Sequence, residues 1–328
     1  MIFEHGFPIS EFVKRVDNAQ AKIRAASMDA LMFMSEREFT YFAGFQSNFW
    51  QSLTRPWFLI ASAKGKPIVV IPSIVENGLS ITWTDDECIW ASPNTDDEGI
   101  NLSSDTLKKL AIMQGRVGMR MGLEIHPRIL SNDFSNLRRA LGCFDLVDAT
   151  DILPTLRMLI SDREIAKHKY ICELVSDAYE NFSNIIKLGM SERKVLGAHQ
   201  LDLLSRGADT VSYFFSTAAE DETDDAICFP SDRPLFSDDV LLPHTGADFD
   251  GYYCDLDRNF GSGHASKATK RAYDLECRAN DAGIAAERLG VLACDVWKAM
   301  ADALGAGGAK SGGVGCMVSD CIVLNGYR

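Results

Sequence analysis

The chain has 328 residues, 46% apolar and 24% charged, the composition of a soluble globular protein with room for two domains. Its formal charge of −13 argues against nucleic acid and anionic membrane surfaces as partners. No run approaches the ~20 apolar residues that span a bilayer, the start at Met1 lacks a secretory pattern, and nine cysteines without a C-x-x-C pair read as reduced thiols, so a cytoplasmic protein is expected.

Ser10 to Ala26 reads as an amphipathic helix, because Phe12, Val16, Ala19 and Ile23 recur at helical spacing. Ala30 to Met34 is a short apolar strand. Trp57 to Ala61 and Pro67 to Ile71 are strands joined by a Lys64-Gly65-Lys66 turn. Ser103 to Met113 reads as a helix capped by Ser103. A strand from Val117 to Met121, a helix from Asn132 to Leu141 and a strand from Asp145 to Val147 follow. Strands alternating with helices predict an α/β layer structure.

The texture changes near Ile152-Leu153-Pro154, and the boundary falls between Asp151 and Asp162, giving domains of 1–155 and 156–328. Ser161-Asp162-Arg163-Glu164 is a capping box. It opens a helix with Ile165, Cys172, Val175 and Phe182 inward, ended by Gly189. A second helix runs from Ser191 to Gly207, with Val195, Ala198 and Leu201 on one face. Strands are expected at Val211 to Ser216, Val240 to His244 and Gly251 to Phe260, then helices from about Ala268 to Arg288 and from Ala293 to Leu304.

The segment from His244 to Phe260 carries the chemistry. It reads as a β-hairpin in which Gly246 and Gly251 bracket a polar turn. On its second arm Tyr253, Asp255 and Asp257 share a face, because strand side chains repeat every two residues. Two carboxylates opposite a His could hold a hard or borderline cation. Spacing alone leaves open a solvated acidic strand balanced by Arg258. Cys254 points to the other face and reads as packing. His5, His126, His168 and His264 are isolated in the sequence and read as surface or satisfied core residues, and the acidic run 220–225 as a solvated loop.

Gly246, Gly251, Tyr252, Asp255 and Arg258 together resemble the Asp-x-Gly-x-x-x-x-Gly-Tyr-x-x-Asp-x-x-Arg signature of the pita-bread hydrolases, the family of aminopeptidase P, prolidase and creatinase. Arg157 with Ser161–Ile165 resembles the start of that family's catalytic domain, and Tyr41-Phe42-Ala43-Gly44-Phe45 its creatinase-type amino-terminal domain. The resemblance implies an α/β creatinase-type domain, with a mixed sheet and flanking helices, followed by an α+β pita-bread catalytic domain. It implies a homodimer and a two-metal centre of Mn, Co, Fe or Zn acting on a small peptide or amide. Asp255 maps onto a metal ligand and His244 onto the position of another; Asp257 is a weaker candidate. Arg258 would orient the carboxylates. Trp50 and Arg55, beside Trp57, would reach substrate from a neighbouring subunit.

Three departures qualify that expectation. His244 stands where the family has Asp, and a neutral imidazole cannot bridge two metals ~3.5–4 Å apart. The family's carbonyl-assisting His would fall at Ile227. The family's His-Gly-x-Gly motif and two later Glu ligands do not follow. Read from the third base of the Gly315 codon, the tail permits His-Gly-Leu-Gly-Leu-His-Ser-Thr-Glu-Trp. The expectation is therefore a catalytic domain truncated before that motif, with 316–328 out of frame. Leu275, Ala279, Ile284, Val296, Trp297 and Met300 would then lose burial. The functional expectation is an Xaa-Pro aminopeptidase- or dipeptidase-like metal-dependent C–N hydrolase, inactive in this form and binding no metal itself. The alternatives are a metal-free, creatinase-like hydrolase of a small cyclic or amidine substrate, or a non-catalytic pseudo-enzyme.

Overall fold

The computed structural model of the chain describes residues 4–52, 54–79, 82–84, 87–110, 115–122, 125–219 and 228–309. Ile227, the tail 316–328 and the acidic run 220–225 lie outside the described residues. The described residues form two compact units: those within Gly6–Leu159, and those from Ile160 to Ala309 together with Glu4 and His5.

The amino-terminal unit is a six-stranded mixed sheet. Its strands are β1 (Ala30–Phe33), β2 (Phe58–Ser62), β3 (Ile68–Pro72), β4 (Glu87–Trp90), β5 (Arg116–Met119) and β6 (Asp145–Asp148). They lie in the order β4-β3-β2-β1-β5-β6, with β2 antiparallel to both its neighbours and the other pairs parallel. The helices are α1 (Ile9–Ala25), α2 (Glu36–Ala43), α3 (Glu76–Leu79), α4 (Ile100–Lys109), α5 (Ser131–Leu141) and α6 (Ile152–Arg157). Strand alternation sends Leu31, Phe33, Leu59, Ala61, Val69 and Ile71 into one core with α1, α2 and α6. It sends Ala30, Met32, Phe58, Ile60, Val70 and Val117 into a second core with α4 and α5. Each large side chain so buried stabilises by about 1.5–3 kcal/mol.

Four of these elements, α2, α3, α6 and β4, are not among those expected from the sequence pattern. Ser103 is not a cap. It lies inside α4, and its hydroxyl donates to the Gly99 carbonyl at 2.7 Å. The capping acceptor is Asp97, whose Oδ1 takes the amides of Ile100 at 2.8 Å and Asn101 at 3.1 Å.

The carboxy-terminal unit contains α7 (Asp162–Ile185), α8 (Glu192–Arg206), β7 (Thr210–Ala219), β8 (Val240–Phe249), β9 (Tyr252–Asp257), β10 (Phe260–Gly261), α9 (Lys267–Ala286) and α10 (Ala293–Ala306). The capping box that opens α7 is formed: Ser161 Oγ accepts from the Glu164 amide, and Glu164 Oε2 accepts from the Ser161 amide at 2.9 Å. Helix α7 buries Ile171, Val175, Ala178, Tyr179 and Phe182 against Val195, Leu196, His199 and Leu203 of α8 and the face of the β8 hairpin. Two expectations fail here. Ile165 is 52% exposed and Leu201 70% exposed. Ile165 sits roughly 80° round the helix from the Val175–Phe182 stripe, and Leu201 lies on the far side of α8 from Val195 and His199. Helix α7 also ends at Ile185, ahead of Gly189.

β8 pairs with β7 along one side, and with β9 and then β10 along the other. The β8–β9 turn is the two-residue Asp250-Gly251, with φ of 54° and 76°, since Phe249 pairs with Tyr252. Positive φ at both positions is the hairpin geometry that Asp-Gly favours. Gly246 does not bracket this turn. It sits within β8, opposite Asp255. Helices α9 and α10 pack on each other, burying Ala279, Val296 and Met300 despite the expectation; Ile284 and Trp297 are exposed.

Candidate active site

The site is built on the β8–β9 hairpin. His244 faces Asp257 in register, and Asp255 is two residues before Asp257 on the same strand. The contact that forms is diagonal: His244 Nε2 lies 2.6 Å from Asp255 Oδ1. The imidazole is 20% exposed and the carboxylate 9%. Tyr213 and Phe215 of β7 stand edge-on to the imidazole, at centroid distances of 5.5 and 6.2 Å. Gly246 makes room for this wall. A Cβ there would lie 2.2 Å from the Tyr213 ring, its cross-strand partner.

Beneath the dyad, the hydroxyl of Tyr179 on α7 lies 2.9 Å from the Pro243 carbonyl, 3.0 Å from the Leu256 carbonyl and 2.8 Å from Thr245 Oγ1. Burial pushes this phenol well above its ordinary range, against the pull of Thr245. One side chain thus ties both arms of the hairpin to α7. The turn is tied as well. Lys167 Nζ meets Asp250 Oδ2 at 2.6 Å, with both side chains buried, and the Tyr252 hydroxyl donates to Glu164 Oε1 at 2.9 Å. Sequence reasoning misses Tyr179, Thr245, Tyr213, Lys167 and Asp250 as functional residues. Helical spacing from Val175 is the one signal that could place Tyr179 inward.

The remaining candidates are placed differently. Asp257 does not join the dyad: among the described residues no three His, Cys, Asp or Glu side chains converge as a metal site. Arg258 does not orient the carboxylates; its Nη1 donates to the Asp257 backbone carbonyl, and its guanidinium lies over Tyr179. Cys254 is buried in the hairpin's core face, as its alternation predicts, and its free thiol is pushed up by its hydrogen bond with the Cys172 thiol and by burial. His5 and His168 have partners that the sequence does not reveal, Asp209 at 2.8 Å and the Tyr253 carbonyl at 3.2 Å. In the amino-terminal unit Trp50 is core, packed on Trp57 at 4.1 Å and Phe39 at 5.1 Å. The cation over its ring is Arg128, at 4.8 Å, rather than Arg55. Arg55 has φ of 62°, and its Nε donates to Ser92 Oγ at 2.9 Å.

Two family models match this chain: metallopeptidase family M24 over residues 166–320, and the creatinase/prolidase N-terminal domain over residues 15–159. The chain belongs to the pita-bread M24 family. Among its M24 relatives, the uncharacterized peptidase SSP1059 of Staphylococcus saprophyticus is 29% identical over 48% of this chain. That match spans only 45% of the relative's own length. The uncharacterized peptidase SAS1635 of Staphylococcus aureus is 23% identical over 88% of this chain and 75% of its own. Solved M24 folds superpose well. Dipeptidase PepE from Mycobacterium ulcerans has a TM-score of 0.77 at 21% identity, covering 92% of this chain and 78% of that one. A prolidase from Thermococcus sibiricus reaches 0.80 at 19% identity, covering 92% and 79%.

An M24 two-metal centre needs carboxylates that bridge the ions. The described residues offer one carboxylate and one imidazole, hydrogen-bonded to each other. That donor set does not fit a binuclear centre. No helix among the described residues is long and apolar enough to cross a membrane.

Proposed function

We propose that this chain binds a small peptide or amide at the His244–Asp255 hairpin and does not itself carry out two-metal C–N bond hydrolysis. The observation that supports this reading is the 2.6 Å contact between His244 and Asp255, with no third ligand beside it among the described residues. Membership of M24 and the dipeptidases and prolidases among its structural neighbours support the finer expectation for a relative that carries the full ligand set, an Xaa-Pro aminopeptidase or dipeptidase using Mn, Co, Fe or Zn. A cytoplasmic homodimer is proposed on the same ground. Two measurements test the reading. Elemental analysis of dialysed protein should find well under one divalent ion per chain, and Xaa-Pro dipeptides should persist with each of those metals added. Two tightly held ions with turnover would sink it.

A second reading is favoured by the same contact. A carboxylate bonded to an imidazole orients it as a general base, which suits metal-free, creatinase-like hydrolysis of a small amidine. Turnover that survives chelator and is lost in both His244→Gln and Asp255→Asn would establish it over the first.

A further inference from the structure

A cavity of about 200 Å³ lies wholly within the amino-terminal unit, apart from the hairpin site. It opens where the chain leaves β1, at Met34 and Ser35, and where it leaves β5, at Met119 and Arg120. These two strands are parallel neighbours. From β1 the sheet builds outward through β2 to β4, and from β5 it builds the other way to β6. The crevice outside the carboxyl ends of parallel strands, where strand order reverses, is the common ligand position of open α/β sheets.

The lining is cationic in a chain of formal charge −13. Arg37, Arg120, Arg128 and His126 border the cavity, with Glu38 the one acidic side chain among the described lining residues. Glu38 is already engaged: Oε2 accepts the amides of Met34 and Ser35 at 3.0 and 2.7 Å, and Oε1 accepts Arg120 Nη1 at 3.1 Å. Arg128 is held by the backbone carbonyls of Ser52 and Arg55, which carry no net charge. Its Nε, like that of Arg120, is buried without a partner among the described residues. Burial pushes the Arg128 guanidinium down and the nearby Glu36 carboxylate pulls it up, so Arg37 is the lining arginine with no carboxylate bonded to it among the described residues. The apolar part of the lining comes from Met32, Phe33, Met34 and Met119, all buried. Cationic and apolar groups in one lining suit an amphipathic anion. The volume is below the ~300–1,000 Å³ of drug-sized sites and just above the ~150 Å³ that accepts benzene.

We propose that this cavity is a binding site for a small carboxylic acid with a short apolar tail. The carboxylate meets the guanidinium groups of Arg37 and Arg120, and the tail lies on the methionines.

The test is calorimetric titration of the full chain at low salt with 4-methylpentanoate, its amide 4-methylpentanamide, and inorganic phosphate. The acid should bind saturably, and the amide about tenfold or more weaker, since it cannot form charge-assisted hydrogen bonds. Arg37→Gln should weaken acid binding by a similar factor. Arg37 is exposed, so this change leaves the fold intact, as near-ultraviolet circular dichroism should verify. Arg120→Gln should do the same if its spectrum stays native; if it misfolds, Arg37→Gln alone decides. No saturation by the acid, equal affinity for acid and amide, phosphate binding without acid binding, or an unchanged Arg37→Gln affinity would each overturn the assignment.

Discussion

His199 is enclosed by Tyr179, Phe182 and Phe214 at centroid distances of 4.9, 4.7 and 5.6 Å, and neither ring nitrogen has a hydrogen-bond partner among the described residues. Burial pushes its imidazole down to about 4, against a weaker upward pull from Asp202. A depressed His favours the neutral form in the folded state. Its stabilisation is therefore complete above about 6.5 and is lost as pH falls towards about 4. That gap corresponds to about 3 kcal/mol. Urea unfolding followed across this window should show a stability slope that His199→Leu flattens. An unchanged slope would mean that other groups carry the acid sensitivity. Tyr179→Phe is expected to cost about 1–3 kcal/mol, because it strands the fully buried Thr245 hydroxyl and removes the link to both arms of the hairpin. Comparing denaturation midpoints measures this, and a loss under about half a kcal/mol would make the triple contact incidental. Period-two alternation is enough to put Asp255 and Asp257 on one strand face, but the hairpin register that brings His244 to them is set by the turn. Alternation cannot show that Asp257 stays out or that Arg258 turns to a carbonyl, since those choices are made by rotamers and by partners on other elements.

The hairpin is the element on which the site depends. Its turn is ambiguous in the sequence, where two glycines offer themselves as turn residues. Only Gly251 has a positive φ; Gly246 is a strand residue whose missing side chain serves Tyr213. Gly251→Ala should cost about 1–2 kcal/mol from left-handed backbone strain. A shift in the thermal midpoint would show it, and an unaltered melt would argue that the turn relaxes. The cap of α7 is legible because Ser161 and Glu164 are three residues apart. The second task of Glu164, accepting from Tyr252, spans 88 residues and leaves no local trace. The same holds for Lys167 and Asp250, each of which alone looks like an ordinary surface charge.

For the whole molecule, the alternation of strands and helices is enough to read an α/β layer, and five strands of the amino-terminal sheet lie where the pattern puts them. β4 escapes because Glu87–Trp90 does not alternate cleanly, and it is paired through β3. The two cores on the faces of the six-stranded sheet are supplied entirely by residues between 6 and 159. A fragment of those residues should therefore fold alone and melt in a single cooperative transition. A broad, non-cooperative melt of that fragment would show that its cores are insufficient by themselves.

The approach of the Tyr213 ring to Gly246 makes the site spectroscopically visible. The Gly246 proton that occupies the place of a Cβ lies against ring atoms, and aromatic ring currents displace the resonances of nuclei so placed. In a nuclear magnetic resonance spectrum that proton should fall well away from its glycine norm, and Tyr213→Leu should return it. Any ligand that tilts Tyr213 to reach His244 would move the same line, so the hairpin carries its own label for titrations in which nothing is turned over.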